Sequence, residues 1–111
     1  MDSLIRLTTP TQYFEFETDP SEYARVQITY KQGSKIVLVK EKDDLTIEPK
    51  QEDQGTVYVA SFKMTQEETK QFDPTSVIKI QVKILTASDD ANASDIYTLS
   101  VKDVLNDEVL Q

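Results

Sequence analysis

Residues 76–86, Ser-Val-Ile-Lys-Ile-Gln-Val-Lys-Ile-Leu-Thr, alternate between apolar and polar almost without exception. Successive side chains of a strand point to opposite sides. Ile78, Ile80, Val82 and Ile84 therefore share one face, and Lys79, Gln81 and Lys83 share the other. Residues 23–31 repeat the pattern, with Ala24, Val26, Ile28 and Tyr30 opposed to Arg25, Gln27, Thr29 and Lys31. Shorter runs, most of them rich in Val, Ile, Tyr, Phe and Thr, occupy residues 12–17, 35–40, 45–48, 56–62 and 95–101. Pro10, Pro20, Gly33, Pro49, Gly55 and Pro74 punctuate the chain, each between alternations and none inside one. Lys-Gln-Gly-Ser at 31–34 reads as a short turn, with glycine where a positive φ is needed, and makes residues 23–40 a hairpin.

About seven short strands at this spacing, with no long amphipathic helix, predict an all-β fold: an immunoglobulin-like antiparallel β-sandwich. The Cys pair and core Trp of true immunoglobulin domains are absent, so the expectation concerns architecture alone. Residues 64–75 break the alternation. Thr65 followed by Glu68 has the spacing of a capping box, Glu67 and Glu68 suit a helix N-terminus, and Pro74 disfavours continuation. One or two helical turns are expected there, between the fifth and sixth strands. If residues 76–85 and 95–101 form a hairpin around 86–94, apolar pairing selects a register with Ile84 opposite Tyr97, Val82 opposite Leu99 and Ile80 opposite Val101. The outer face would then place Leu85 by Ile96, Lys83 by Thr98 and Gln81 by Ser100.

The chain of 111 residues is expected to form a single domain over 1–111, long enough to hide roughly two-thirds of its unfolded surface. It has no Cys and no His, so disulfides, thiol chemistry and imidazole acid–base catalysis are excluded and an ordinary zinc site is not expected. The opening residues carry no basic stretch followed by an apolar one, and no apolar run approaches the roughly 18 residues of a membrane span. Synthesis and folding in the cytoplasm are expected. The formal charge of -8 makes nucleic acid and anionic membranes poor partners, because both are bound through clustered Lys and Arg.

Enzyme chemistry finds little footing. There is no Gly-x-Ser-x-Gly elbow, and two glycines cannot build a phosphate-cradling loop. The adjacent pairs Asp43–Asp44 and Asp89–Asp90 fall in expected turns, where Asp is common, and lack the placement across a cleft that acid–base work requires. Asp90, Asn92 and Ser94 offer oxygens at alternate positions, as the first part of a calcium loop would. Asp95 stands where that loop needs Gly, and Val101 where it needs Glu. No catalytic residue, metal or cofactor is expected. Tyr13, Tyr23 and Tyr58 could offer sugar platforms, but with no Trp ordinary strand packing accounts for them better. Exposed apolar surface is what remains for specific contact. Leu4, Ile5 and Leu7 near the start either cover the fold's own end, add an edge strand or meet a partner. Val104, Leu105, Val109 and Leu110 near the end, and the Leu85/Ile96 end of the last hairpin, are the other candidate interfaces.

Thr-Thr-Pro-Thr-Gln-Tyr-Phe-Glu-Phe-Glu at 8–17, the stretch from 26 to 48, Met-Thr-Gln-Glu-Glu-Thr-Lys-Gln-Phe at 64–72 and the closing stretch 80–110 carry a likeness over nearly the whole chain. In this layout the sequence resembles small proteins encoded among the structural genes of tailed phages and prophages of Gram-positive bacteria. The likeness rests on strand order, Thr-Pro-Thr at 9–11, Thr-Gln-Glu-Glu at 65–68 and Asp-Val-Leu at 103–105, and it transfers no functional residue. It implies a non-enzymatic virion structural or assembly module, of tail or baseplate, whose partners are virion proteins or further copies of itself and whose place after assembly is the virion. The competing expectation is an acidic inhibitor that mimics nucleic acid and binds a host nucleic-acid-binding protein. A continuous acidic stripe would favour mimicry; a mixed surface with an apolar patch would favour assembly.

Overall fold

The computed structural model describes residues 3–111. Nine strands are present among them: β1 (Ser3–Ile5), β2 (Thr11–Phe16), β3 (Arg25–Gln32), β4 (Lys35–Glu41), β5 (Thr46–Glu52), β6 (Gly55–Lys63), β7 (Ile78–Leu85), β8 (Ala91–Ala93) and β9 (Tyr97–Lys102). A short helix, α1 (Gln66–Lys70), joins β6 to β7. The strands form two sheets. The larger has the order β1-β9-β7-β3-β4 with β8 beside β7, and the smaller has the order β2-β6-β5. The fold is all-β, as the alternation requires, and the seven expected strands correspond to β2 through β7 and β9.

The 23–40 hairpin is present, with Gln32 opposite Lys35 and Gly33 at φ 57°, a value an L side chain rarely adopts. β7 is central in its sheet, flanked by β3 on one side and by β8 and β9 on the other, so its apolar face packs inward along its length. Tyr30 sits in the middle of the core. Its hydroxyl donates to Gln12 Oε1 at 2.9 Å, and its ring meets Phe62 edge-on with centroids 6.0 Å apart. Burial pushes that hydroxyl's pKa well above the ordinary tyrosine value. Val26, Ile28, Ile78, Ile80, Met64 and Phe72 complete the centre of the cluster. Full burial of such side chains stabilises by about 1.5–3 kcal/mol each.

The capping box is present. Thr65 Oγ1 accepts from the Glu68 N–H at 3.0 Å, and Glu68 Oε1 accepts from the Thr65 N–H at 2.9 Å. The second Glu68 oxygen lies 2.7 Å from Lys40 Nζ, which also sits 5.5 Å from the centroid of the Phe62 ring. One carboxylate thus starts the helix and ties it to β4. Beyond α1, the buried Gln32 amide donates to Asp73 O and Ser76 O and accepts from the Asp73 N–H, fixing the path into β7.

Four expectations are corrected. The strands number nine rather than about seven among the described residues: β1 takes up the edge strand that Leu4, Ile5 and Leu7 allowed, and β8, which is unforeseen, is like it three residues long. β1 also runs parallel to β9, with Leu4 opposite Val101, so the larger sheet is not wholly antiparallel. The chain passes from β1 into the other sheet, so no tight hairpin dictates β1's direction. Pro49 lies inside β5, opposite Tyr58, where the free side of an edge strand tolerates a residue without an N–H. The β7–β9 register differs: Leu99 faces Ile78 and Tyr97 faces Ile80. The chain turns back sooner than expected, through the bonds Asp89 N–H to Thr86 O and Thr86 N–H to Asp90 O, with Asp89 at φ 71°. β8 then pairs with β7, and between Lys83↔Ala93 and Ile80↔Tyr97 two residues of β7 oppose three of the returning chain, a β-bulge. Leu85 therefore faces Ala91 rather than Ile96.

Candidate functional site

β2 lies at the edge of the smaller sheet, with β6 as its one strand neighbour among the described residues. Its alternation turns Phe14 and Phe16 inward and Thr11, Tyr13 and Glu15 outward. On the other side of the gap, β1 borders β9 only at Ser100–Lys102. From there to the β8 end the gap between β2 and the β7–β9 face stays open as a groove of about 680 Å³. Phe14 and Phe16 form one wall; Ile80, Val82, Ile84 and Leu99 form the other. Tyr13 and Tyr97, 70% and 55% exposed, lie along it, and among the described residues Glu15 is the one charged residue in its lining. The volume is typical of sites that bind by burying apolar surface. An unpaired strand edge beside an apolar trough is the geometry into which an extended segment adds as a strand, with main-chain bonds giving affinity and alternate side chains filling the trough.

The charge is not spread evenly over the surface. On the outer face of the larger sheet the cross-strand register aligns Arg25, Lys31, Lys79, Lys83 and Lys102. Carboxylates collect elsewhere, for example at Glu15, Glu17, Glu52 and Asp53, which line one concavity at the β5–β6 turn.

The terminal candidates divide by burial. Leu4 is 2% exposed and Leu7 9% exposed, both buried in the chain's own core, so neither is available to a partner. The self-covering and added-strand expectations describe them instead. Ile5, on the same short strand, alternates outward and is exposed. Leu85 is half-buried while Ile96, displaced by the bulge, is 58% exposed, and the two do not form the expected pair. Val104 and Val109 are half-buried; Leu105 is fully exposed and Leu110 largely so.

The closing segment is tied down at two points. Arg6 Nη1 reaches Asp103 Oδ1 at 2.5 Å, and the Val104 N–H with Arg6 holds the Asp103 carboxyl below the usual carboxylate range. The Gln66 side chain then clasps Leu110: its Oε1 accepts from the Leu110 N–H at 2.8 Å and its Nε2 donates to the Leu110 carbonyl at 2.7 Å. A side-chain amide can imitate one residue of a strand ladder in this way. No sequence pattern pointed to that clasp, since it joins residues 44 apart.

The residues weighed for other chemistry have local roles. Asp44 Oδ2 accepts from the Glu41 N–H and starts the single helical turn Lys42–Asp44. Asp89 and Asp90 shape the β7–β8 turn. Ser94, counted above with a calcium loop, puts its hydroxyl on the Val82 N–H at 3.0 Å. Among the described residues no group of three or more carboxylates stands where it could hold a metal ion, and no helix is long and apolar enough to cross a membrane. No protein-family model matches the sequence, and comparison with curated proteins finds no match.

Proposed function

We propose that this chain is a non-enzymatic structural or assembly module of a phage or prophage virion, of tail or baseplate, that works through protein contacts. The observation that carries the reading is the apolar groove beside the unpaired edge of β2. It is a surface shaped for an extended protein segment. The virion setting comes from the sequence resemblance. In the same proposal the two sheets form an immunoglobulin-like sandwich. The order β1-β9-β7-β3-β4 against β2-β6-β5, with a helical turn leading into β7, supports it, because variable-type domains likewise add strands beside a three-stranded group. The edge strand that would complete the smaller sheet beside β2 is missing among the described residues, and the groove lies at that place.

The second reading, an acidic inhibitor of a host nucleic-acid-binding protein, draws on the net charge of -8 and the carboxylates around the β5–β6 turn. The lysines on the outer face of the larger sheet interrupt any continuous acidic stripe and favour assembly. Affinity capture with isolated tail and baseplate proteins, run beside a panel of host nucleic-acid-binding proteins, separates the two. The assembly reading expects capture of a virion protein that persists when duplex DNA is added. Capture of a nucleic-acid-binding protein alone, displaced by DNA, would replace it with mimicry.

A further inference from the structure

The outer face of the larger sheet is unusual in a chain of net charge -8. Among the described residues Glu41 is the one carboxylate on the strands of that face, and it pairs with Arg25. Lys31, Lys79, Lys83 and Lys102 make no ion pair among the described residues, whose ion pairs are Arg6–Asp103, Arg25–Glu41, Lys40–Glu68 and Lys50–Glu52. Lys31 stands directly opposite Lys79 across β3 and β7. Like charges so placed destabilise a sheet, and this chain holds 20 acidic residues from which a partner could have been drawn. Beside these lysines β4 exposes Ile36 and Val39, 58% and 40% accessible. The face is cationic with an apolar flank.

The chain carries a segment of the opposite character. Residues 103–111 read Asp-Val-Leu-Asn-Asp-Glu-Val-Leu-Gln, with Leu105 fully exposed and Asp107 and Glu108 free of any ion pair among the described residues. We propose that segment 104–110 of one copy docks on the lysine face of a second copy. Asp107 and Glu108 meet Lys79, Lys83 and Lys31, while the leucines meet Ile36 and Val39. At physiological salt the Debye length is about 8 Å, so the local match of charge outweighs the like net charge of the two chains. The contact joins two different surfaces and is heterologous, so repetition builds a ring or a filament. Within one chain the Gln66 clasp on Leu110 competes with the contact by holding the segment back. The virion setting rests on the assembly reading above; the contact itself does not.

The test uses a synthetic peptide of residues 103–111 titrated into the intact protein, followed by amide chemical shifts. The expected result is movement of amides at residues 25–31, 36–39 and 79–83. Lys79→Glu with Lys83→Glu should weaken the peptide at least tenfold while leaving the remaining amide spectrum in place. Gln66→Ala should raise the weight-average mass in sedimentation at equal concentration, because it frees the segment. A peptide that leaves those amides unmoved, or that binds the doubly reversed variant equally well, overturns the proposal. So does a polyglutamate peptide of equal length binding as tightly, which would assign the face to a foreign acidic protein. Any of these results, with virion proteins still captured, would remove the second-copy contact and leave the assembly reading standing.

Discussion

Ser94 pairs with Val82 through its side chain. The Ser94 N–H donates to the Val82 carbonyl at 2.8 Å, and the Val82 N–H donates back to the Ser94 hydroxyl at 3.0 Å rather than to a backbone oxygen. The Ser94 carbonyl, displaced by the bulge, accepts from Gln81 Nε2 at 2.9 Å. One hydroxyl thus lets the returning strand carry an extra residue without leaving a central strand's N–H unpaired. That extra residue sets the register of β9, turns Ile96 out to solvent and shapes one wall of the groove.

Ser94→Ala removes the acceptor of the Val82 N–H. Leaving such a donor unsatisfied costs about 1–3 kcal/mol. Denaturant unfolding should show that loss, and the Val82 amide should exchange faster in the variant. Unchanged stability with unchanged exchange would mean that the hydroxyl is replaceable.

Ile80 is 4% exposed on the inner face of β7, between Tyr30 of β3 and Tyr97 of β9. Ile80→Ala should cost about 2–5 kcal/mol, the range for truncating a well-packed core side chain. A loss under about 0.5 kcal/mol in denaturant unfolding, typical of surface changes, would contradict the placement.

The faces of β3 and β7 were legible in the sequence because period-two alternation is a local property, carried by Ile78, Ile80 and Val82 themselves. The β7–β9 register was not. Sliding β9 by four residues still sets apolar positions opposite one another, so Leu99 pairs as well with Ile78 as with Val82. What chose between them was the turn at Asp89 and the bulge at Ser94, both of which look like an ordinary polar loop. β1 and β8, of three residues each, are too short to show any period. The cap at Thr65 was legible because it is local. The groove was not, because it arises where two sheets fail to close, a tertiary fact with no motif.

Burial alone would raise the Glu68 carboxyl, but its bonds to Lys40 and Thr65 hold it below the ordinary value. A carboxylate with a depressed folded pKa contributes stability that is present above its unfolded pKa, about 4.3, and is lost as pH falls through the folded value. Glu68→Gln should therefore be less stable than the parent at pH 7, with the gap narrowing toward pH 3. A gap that widened on acidification would reverse the sign and refute the assignment.

Thr65→Ala tests the same box from its other side. It leaves the Glu68 N–H without its acceptor and should cost roughly 1 kcal/mol, with faster amide exchange through residues 66–70. An unaffected exchange pattern there would show that packing of Thr69, not the cap, holds the helix.

Strand addition at the open edge of β2 can be measured directly. Amide hydrogen exchange, resolved by residue, should be measured on the free protein and on its complex with a captured tail or baseplate protein. In the free protein the N–H groups of residues 11–16 that point away from β6 should exchange fast while their inward neighbours are protected. In the complex those outward amides should become protected, together with amides at residues 97–99 across the groove. Protection confined to β4 or β5, with the outward β2 amides still exchanging freely, would contradict strand addition at this groove.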